Sequence, residues 1–104
     1  MTSTDFNIIV EKQFKKCQEV LGAKNTEYTP SDTDRLSYFR KAADLMDVSP
    51  KKALFGMLAK HLISISDMCT SNNKFSNDRW SEKITDSINY LLLLKAMVEE
   101  ENNE

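Results

Sequence analysis

Two glycines and two prolines are all that interrupt 104 residues. All-β folds need frequent Gly- or Pro-rich turns, so a chain this poor in breakers is expected to be helical. The apolar spacing agrees. Phe6, Ile9, Val10, Phe14, Cys17 and Leu21 recur at steps of three and four, which predicts a first helix from about residue 4 to 21 with one apolar face. Gly22 then stands where a helix ends on a positive-φ residue. "AKNTEYTPSD" reads as a loop, because Thr29 precedes Pro30 and is pushed out of the helical region. Ser31 or Asp32 is the expected cap of a second helix, whose buried stripe is Leu36, Phe39, Ala43 and Met46.

Ser49 followed by Pro50 marks a third helix start, a capping hydroxyl ahead of a residue preset for the first helical position. That helix should run to about Cys69, with Leu54, Met57, Leu58, Leu62, Ile65 and Met68 as its apolar surface. After the polar loop "TSNNKFSNDR" a fourth helix is expected from about residue 78 to 99. Phe75 and Trp80 flank its start as a hydrophobic staple, or less simply as a base-stacking platform. The residues from about 100 to 104 are expected to fray in solvent. The whole is one all-α domain, 1–104, folded as a compact four-helix antiparallel bundle. The fourth helix is apolar around much of its surface, more than a small core uses, which predicts a homo-oligomer joined through it.

Composition narrows the function classes. A formal net charge of −2 gives no general attraction to nucleic acid, and Lys12, Lys15 and Lys16 read as the solvated face of the first helix. Cys17 and Cys69 fall at apolar-periodic positions and are expected to be small buried hydrophobes. One histidine and no CxxC motif leave no ordinary zinc site. The N-terminus lacks the pattern of a signal peptide. The longest apolar run, "YLLLLKAMV", is too short for a bilayer. A soluble, cytoplasmic protein with no membrane contact is expected.

Within that apolar fourth helix Glu82, Asp86 and Asn89 stand at i, i+4 and i+7, on one face. The third helix carries Lys60, Ser64 and Asp67 at the same spacing, with His61 beside them. If the two helices pack antiparallel, these side chains share a groove. A further polar cluster is Lys24, Asn25, Glu27 and Tyr28. Converging carboxylates suit Mg²⁺, a hard cation that takes oxygen ligands and keeps waters for a phosphate-bearing substrate. The structural alternative stands beside this: Glu82 and Asp86 as favourable charges near the helix start, Lys60, Asp67 and Asp86 as an ion-pair network, and His61 as a hydrogen-bonded edge histidine. Tyr28 and Tyr90 either stack on a base or simply pack. No nucleophile elbow, Gly-rich phosphate loop or Cys/His pairing supports covalent catalysis.

The segment "EKITDSINYLLLL" resembles the metal-binding helix of MazG-like all-α nucleoside triphosphate pyrophosphohydrolases, with Glu82 and Asp86 spaced E-x-x-x-D where that family has E-x-x-D. The resemblance implies an oligomeric, Mg²⁺-dependent enzyme releasing pyrophosphate. "KNTEY", "ALFGMLAKHLISISDM" and "EKITDSINYLLLL" together resemble a group of small phage-encoded proteins of unassigned activity. That likeness implies a phage or prophage origin.

Three functions follow as expectations. In the hydrolase, Glu82, Asp86 and Asp67 or Glu27 hold metal, Lys60 meets phosphate, and His61 or Asn89 orients water or substrate. In a non-catalytic anti-defence protein, Lys60, His61, Ser64, Asn89 and Tyr90 capture a nucleotide, or the protein masks a host defence protein such as a nuclease. In an assembly protein, the polar stripe fixes the register of an oligomer.

Overall fold

The computed structural model describes the backbone of residues 1–28 and 34–103 and the side chains of 1–23 and 34–103. Four α-helices follow in order: α1 Ser3–Tyr28, α2 Ser37–Met46, α3 Pro50–Thr70 and α4 Asn77–Asn102. No strand occurs among the described residues.

The start signals of α3 and α4 act as their chemistry dictates. The Ser49 hydroxyl accepts from the Lys52 N–H at 3.2 Å, with Pro50 opening the helix. Ser76 accepts from the Arg79 N–H at 3.1 Å. Phe75 and Trp80 meet edge to face, with centroids 6.3 Å apart, as a staple across that cap. α3 and α4 form an antiparallel hairpin, closed by the short turn between Thr70 and Asn77. The short α2 lies against α3, and the core gathers where Leu36 and Phe39 meet Leu54 of α3 and Met97 of α4. α2 ends at Asp47, whose left-handed φ of 54° returns its N–H to the carbonyls of Ala43 and Asp44.

α1 lies along α4. Gln13 Nε2 donates to Thr85 Oγ1 at 2.8 Å, and Asn89 Nδ2 donates to the Cys17 carbonyl at 3.3 Å. Both pairs rise together in number, so the two helices run parallel.

Several expectations are corrected. α1 does not stop at Leu21 but passes through Gly22 to Tyr28, and Gly22 has no positive φ. Helix propensity in "AKNTEY" carries the chain past one glycine, which costs only about 1 kcal/mol. α2 starts at Ser37, after a turn in which Asp34 Oδ1 accepts from the Leu36 N–H at 3.0 Å. The proposed caps Ser31 and Asp32 lie outside the described residues, as does Pro30. Met46, Leu62 and Cys69 are exposed, although their spacing suggested burial. Phe6, Ile9 and Phe14 are also exposed, because α1 has one substantial neighbour where a bundle helix usually has two. Glu100 and Glu101 are helical rather than frayed: Glu100 pairs with Arg40, and Glu101 with Lys51 at 3.0 Å.

Candidate functional site

Where α1, α3 and α4 meet the approach to α2, the helices leave a cavity of about 230 Å³. Its polar floor comes from α4, where Asp86, Asn89 and Tyr90 occupy successive positions of the face turned toward the rest of the protein. His61 of α3 stands opposite. Val20 and Leu21 of α1 form an apolar wall. Arg35, Tyr38 and Phe39 close the side formed by α2 and the turn before it.

Two buried polar atoms here have no hydrogen-bond partner among the described residues: Asn89 Oδ1 and His61 Nδ1. Asn89 is 6% exposed. Its amide nitrogen is committed to the Cys17 carbonyl, so the carboxamide is held with its oxygen as a fixed acceptor. Leaving such a group unsatisfied costs about 1–3 kcal/mol. His61 Nδ1 lies 3.8 Å from Asp86 Oδ2, beyond hydrogen-bond reach. The His61 and Tyr90 rings lie 5.3 Å apart and tilted, and Phe39 meets Tyr90 edge to face at 6.4 Å. Arg35 spends one N–H on the Leu21 carbonyl at 3.2 Å. Its guanidinium, with five donors in all, brings positive charge to the cavity.

Of the residues singled out in the sequence, the cavity therefore unites His61, Asp86, Asn89 and Tyr90. Others stand apart. Lys60 is exposed, and its carbonyl accepts from the Ser64 hydroxyl at 3.1 Å within α3. Asp67 and Glu82 are exposed. The side chains of Lys24, Asn25, Glu27 and Tyr28 lie outside the described residues. Sequence reasoning missed Arg35, Tyr38 and Phe39 as site residues. Phe39 was visible only as a core position, and Arg35 carried no motif.

Of the three carboxylates expected to hold Mg²⁺, Asp86 alone lines the cavity. Among the described residues no three His, Cys, Asp or Glu side chains are grouped to hold a metal ion. No described helix is long and apolar enough to cross a membrane. The class defined by fold and site is an all-α helical bundle with a polar-floored, aromatic-walled cavity. Comparison with protein-family models, curated proteins and solved structures gives no match for this chain.

Proposed function

We propose that this protein binds a nucleotide in the cavity between α1, α3 and α4, as a phage-type nucleotide-handling protein that acts by capture. The observation that carries this reading is the fixed, unpartnered Asn89 oxygen beside the aromatic Tyr90 wall. A lone acceptor in a buried floor asks its ligand for an N–H, such as the exocyclic amine or ring N–H of a base. The aromatic side chains offer the base an apolar face, and Arg35 offers a phosphate a forked donor. At about 230 Å³ the cavity suits the base-sized part of a ligand, being smaller than sites for drug-sized molecules. The likeness of "KNTEY" and "EKITDSINYLLLL" to small phage proteins supports the same class.

A second reading is kept for one observation, the Asp86 carboxylate facing His61 across 3.8 Å. Such a pair is a general-base arrangement for a pyrophosphohydrolase, which would require metal.

The test is calorimetric titration with nucleoside mono- and triphosphates and cyclic dinucleotides, each in Mg²⁺ and in EDTA. Capture predicts binding that survives EDTA, leaves the nucleotide intact and weakens at least tenfold in Arg35→Gln. Binding that needs Mg²⁺ and yields pyrophosphate favours the hydrolase. Silence across the whole panel sinks both.

A further inference from the structure

The surface of α1 and α4 remote from the cavity holds an unpartnered apolar band. On α4, Ile84, Ile88, Leu91 and Leu92 recur at i, i+4, i+7 and i+8, on the side away from Tyr90 and Met97, which face the core. On α1, Phe6, Val10 and Phe14 recur at the same spacing. The two helices are right-handed and parallel, with Gln13–Thr85 and Cys17–Asn89 marking the line where they touch. Counting around each helix from that line puts the Phe14 flank of α1 and the Ile84–Leu92 flank of α4 on the same side. They form one continuous surface.

Its size is informative. Phe6 is 56% exposed, Phe14 60% and Leu91 52%, with Ile84 and Leu92 also open. At roughly 200 Å² for a whole Phe and somewhat less for Leu or Ile, the band offers about 500 Å² of apolar side chain. A standard dimer buries about 800 Å² per partner, of which a homodimer makes about two-thirds apolar, again about 500 Å².

We propose that this α1–α4 face is a two-fold interface with a second copy of the same chain. Between Ile84 and Leu92 the band has no charge, since Asp86 turns toward the cavity. At its edge Lys95 is already paired with Glu99 at 3.2 Å. Along its α4 half the face thus carries no unmatched charge, and an uncharged apolar stripe suits its own copy better than a partner chosen by charge. An apolar stripe on a helix is complementary to its own copy under a two-fold axis, the commonest symmetry of soluble oligomers. The proposal stands independently of the nucleotide reading, because no cavity residue belongs to the band.

The test is sedimentation equilibrium of the whole chain from about 1 to 200 µM, without nucleotide, alongside hydrogen exchange of the unaltered protein at both ends of that range. A dimer is expected, with exchange protection in residues 6–14 and 84–92 rising with concentration. Leu91→Glu and Phe14→Glu, checked for retained helicity by circular dichroism, should each weaken association at least 100-fold. Leu45→Glu and Ile63→Glu, on exposed apolar residues off the band, should leave it unchanged. A protein that stays monomeric throughout overturns the proposal, whether the band then proves to hold a different protein or an anionic vesicle. So does a dimer whose protection maps elsewhere, or one that Ile63→Glu dissociates in preference to Leu91→Glu.

Discussion

Replacing Asn89 with Leu separates a residue kept for binding from one kept for folding. The side chain is buried, gives one hydrogen bond to the Cys17 carbonyl and leaves its oxygen unpaired. The Cys17 carbonyl lies inside α1, so the helix ladder still satisfies it when the amide is gone. The substitution thus removes one hydrogen bond worth about 1 kcal/mol and relieves an orphaned acceptor costing about 1–3 kcal/mol. Leu has the branched outline of Asn and a larger volume, which the adjoining cavity takes up, so overpacking is small. The balance is a gain of about 1 kcal/mol, which at roughly 2 cal/mol/K of unfolding entropy per residue raises Tm by about 5 °C for 104 residues. Binding should move the other way. A nucleotide at 100 times its Kd stabilises the native protein by about 2.7 kcal/mol, or roughly 12 °C here. In Asn89→Leu that shift should fall below about 2 °C. Thermal unfolding followed by circular dichroism, with and without nucleotide, reads both effects. A fall in Tm of more than about 5 °C without ligand would refute the reasoning, because the amide would then be a structural member of the α1–α4 contact.

Other consequences can be checked on the same material. Gly22→Ala and Gly56→Ala should each raise stability by about 0.5–1 kcal/mol in urea unfolding, since both glycines are mid-helix, neither has positive φ and an added Cβ meets nothing within 4 Å; a loss of stability at Gly22 would restore it as a helix terminus. Leu54→Ala empties a fully buried position and should cost about 2–5 kcal/mol, a fall in Tm of at least 9 °C. Native protein should expose one thiol to a disulfide reagent at once, the exposed Cys69, whereas the buried Cys17 should react only on unfolding; rapid reaction of both would contradict the docking of α1. Ser49→Ala should cost about 1 kcal/mol by chemical denaturation through loss of the α3 cap.

Local chemistry was legible in the sequence wherever it was self-sufficient. Ser49-Pro50 and the Phe75–Trp80 staple act within one turn of their own helices, so their pattern carries its meaning without the rest of the fold. Asp86 and Asn89 stood out in the sequence because polar groups inside an apolar helix need a reason, and both line the cavity beside Tyr90. Lys60, Ser64 and Asp67 misled for a geometric reason. Leu54, Leu58, His61 and Met68 hold the inward side of α3, and the stripe one step around from His61 faces water. Glu82 lies a turn too early along α4 to reach the cavity. Arg35 was invisible because its place depends on how the chain returns from α1 to α2, a tertiary fact with no local signature. The spacing along α1 marks which side chains share a face, but Phe6, Ile9 and Phe14 on it are exposed: periodicity does not tell whether the rest of the chain comes to cover that face.

The pairing of α1 with α4 also sets an order of assembly. α3 and α4 are neighbours in sequence and close as a hairpin over a few residues. The bonds Gln13–Thr85 and Asn89–Cys17 each span 72 residues, so α1 closes the longest loop in the chain and gains least until the rest is formed. In the monomer it is expected to be the last helix to dock and the first to open, with amide exchange in its first half faster than in α3 or α4 until the proposed pairing with a second copy covers it. Since Val20 and Leu21 wall the cavity, each such opening takes that cavity apart while the α2–α3–α4 core stays folded. Under the proposed capture, ligand release would then be a partial unfolding event, with a residence time set by how long α1 remains on α4.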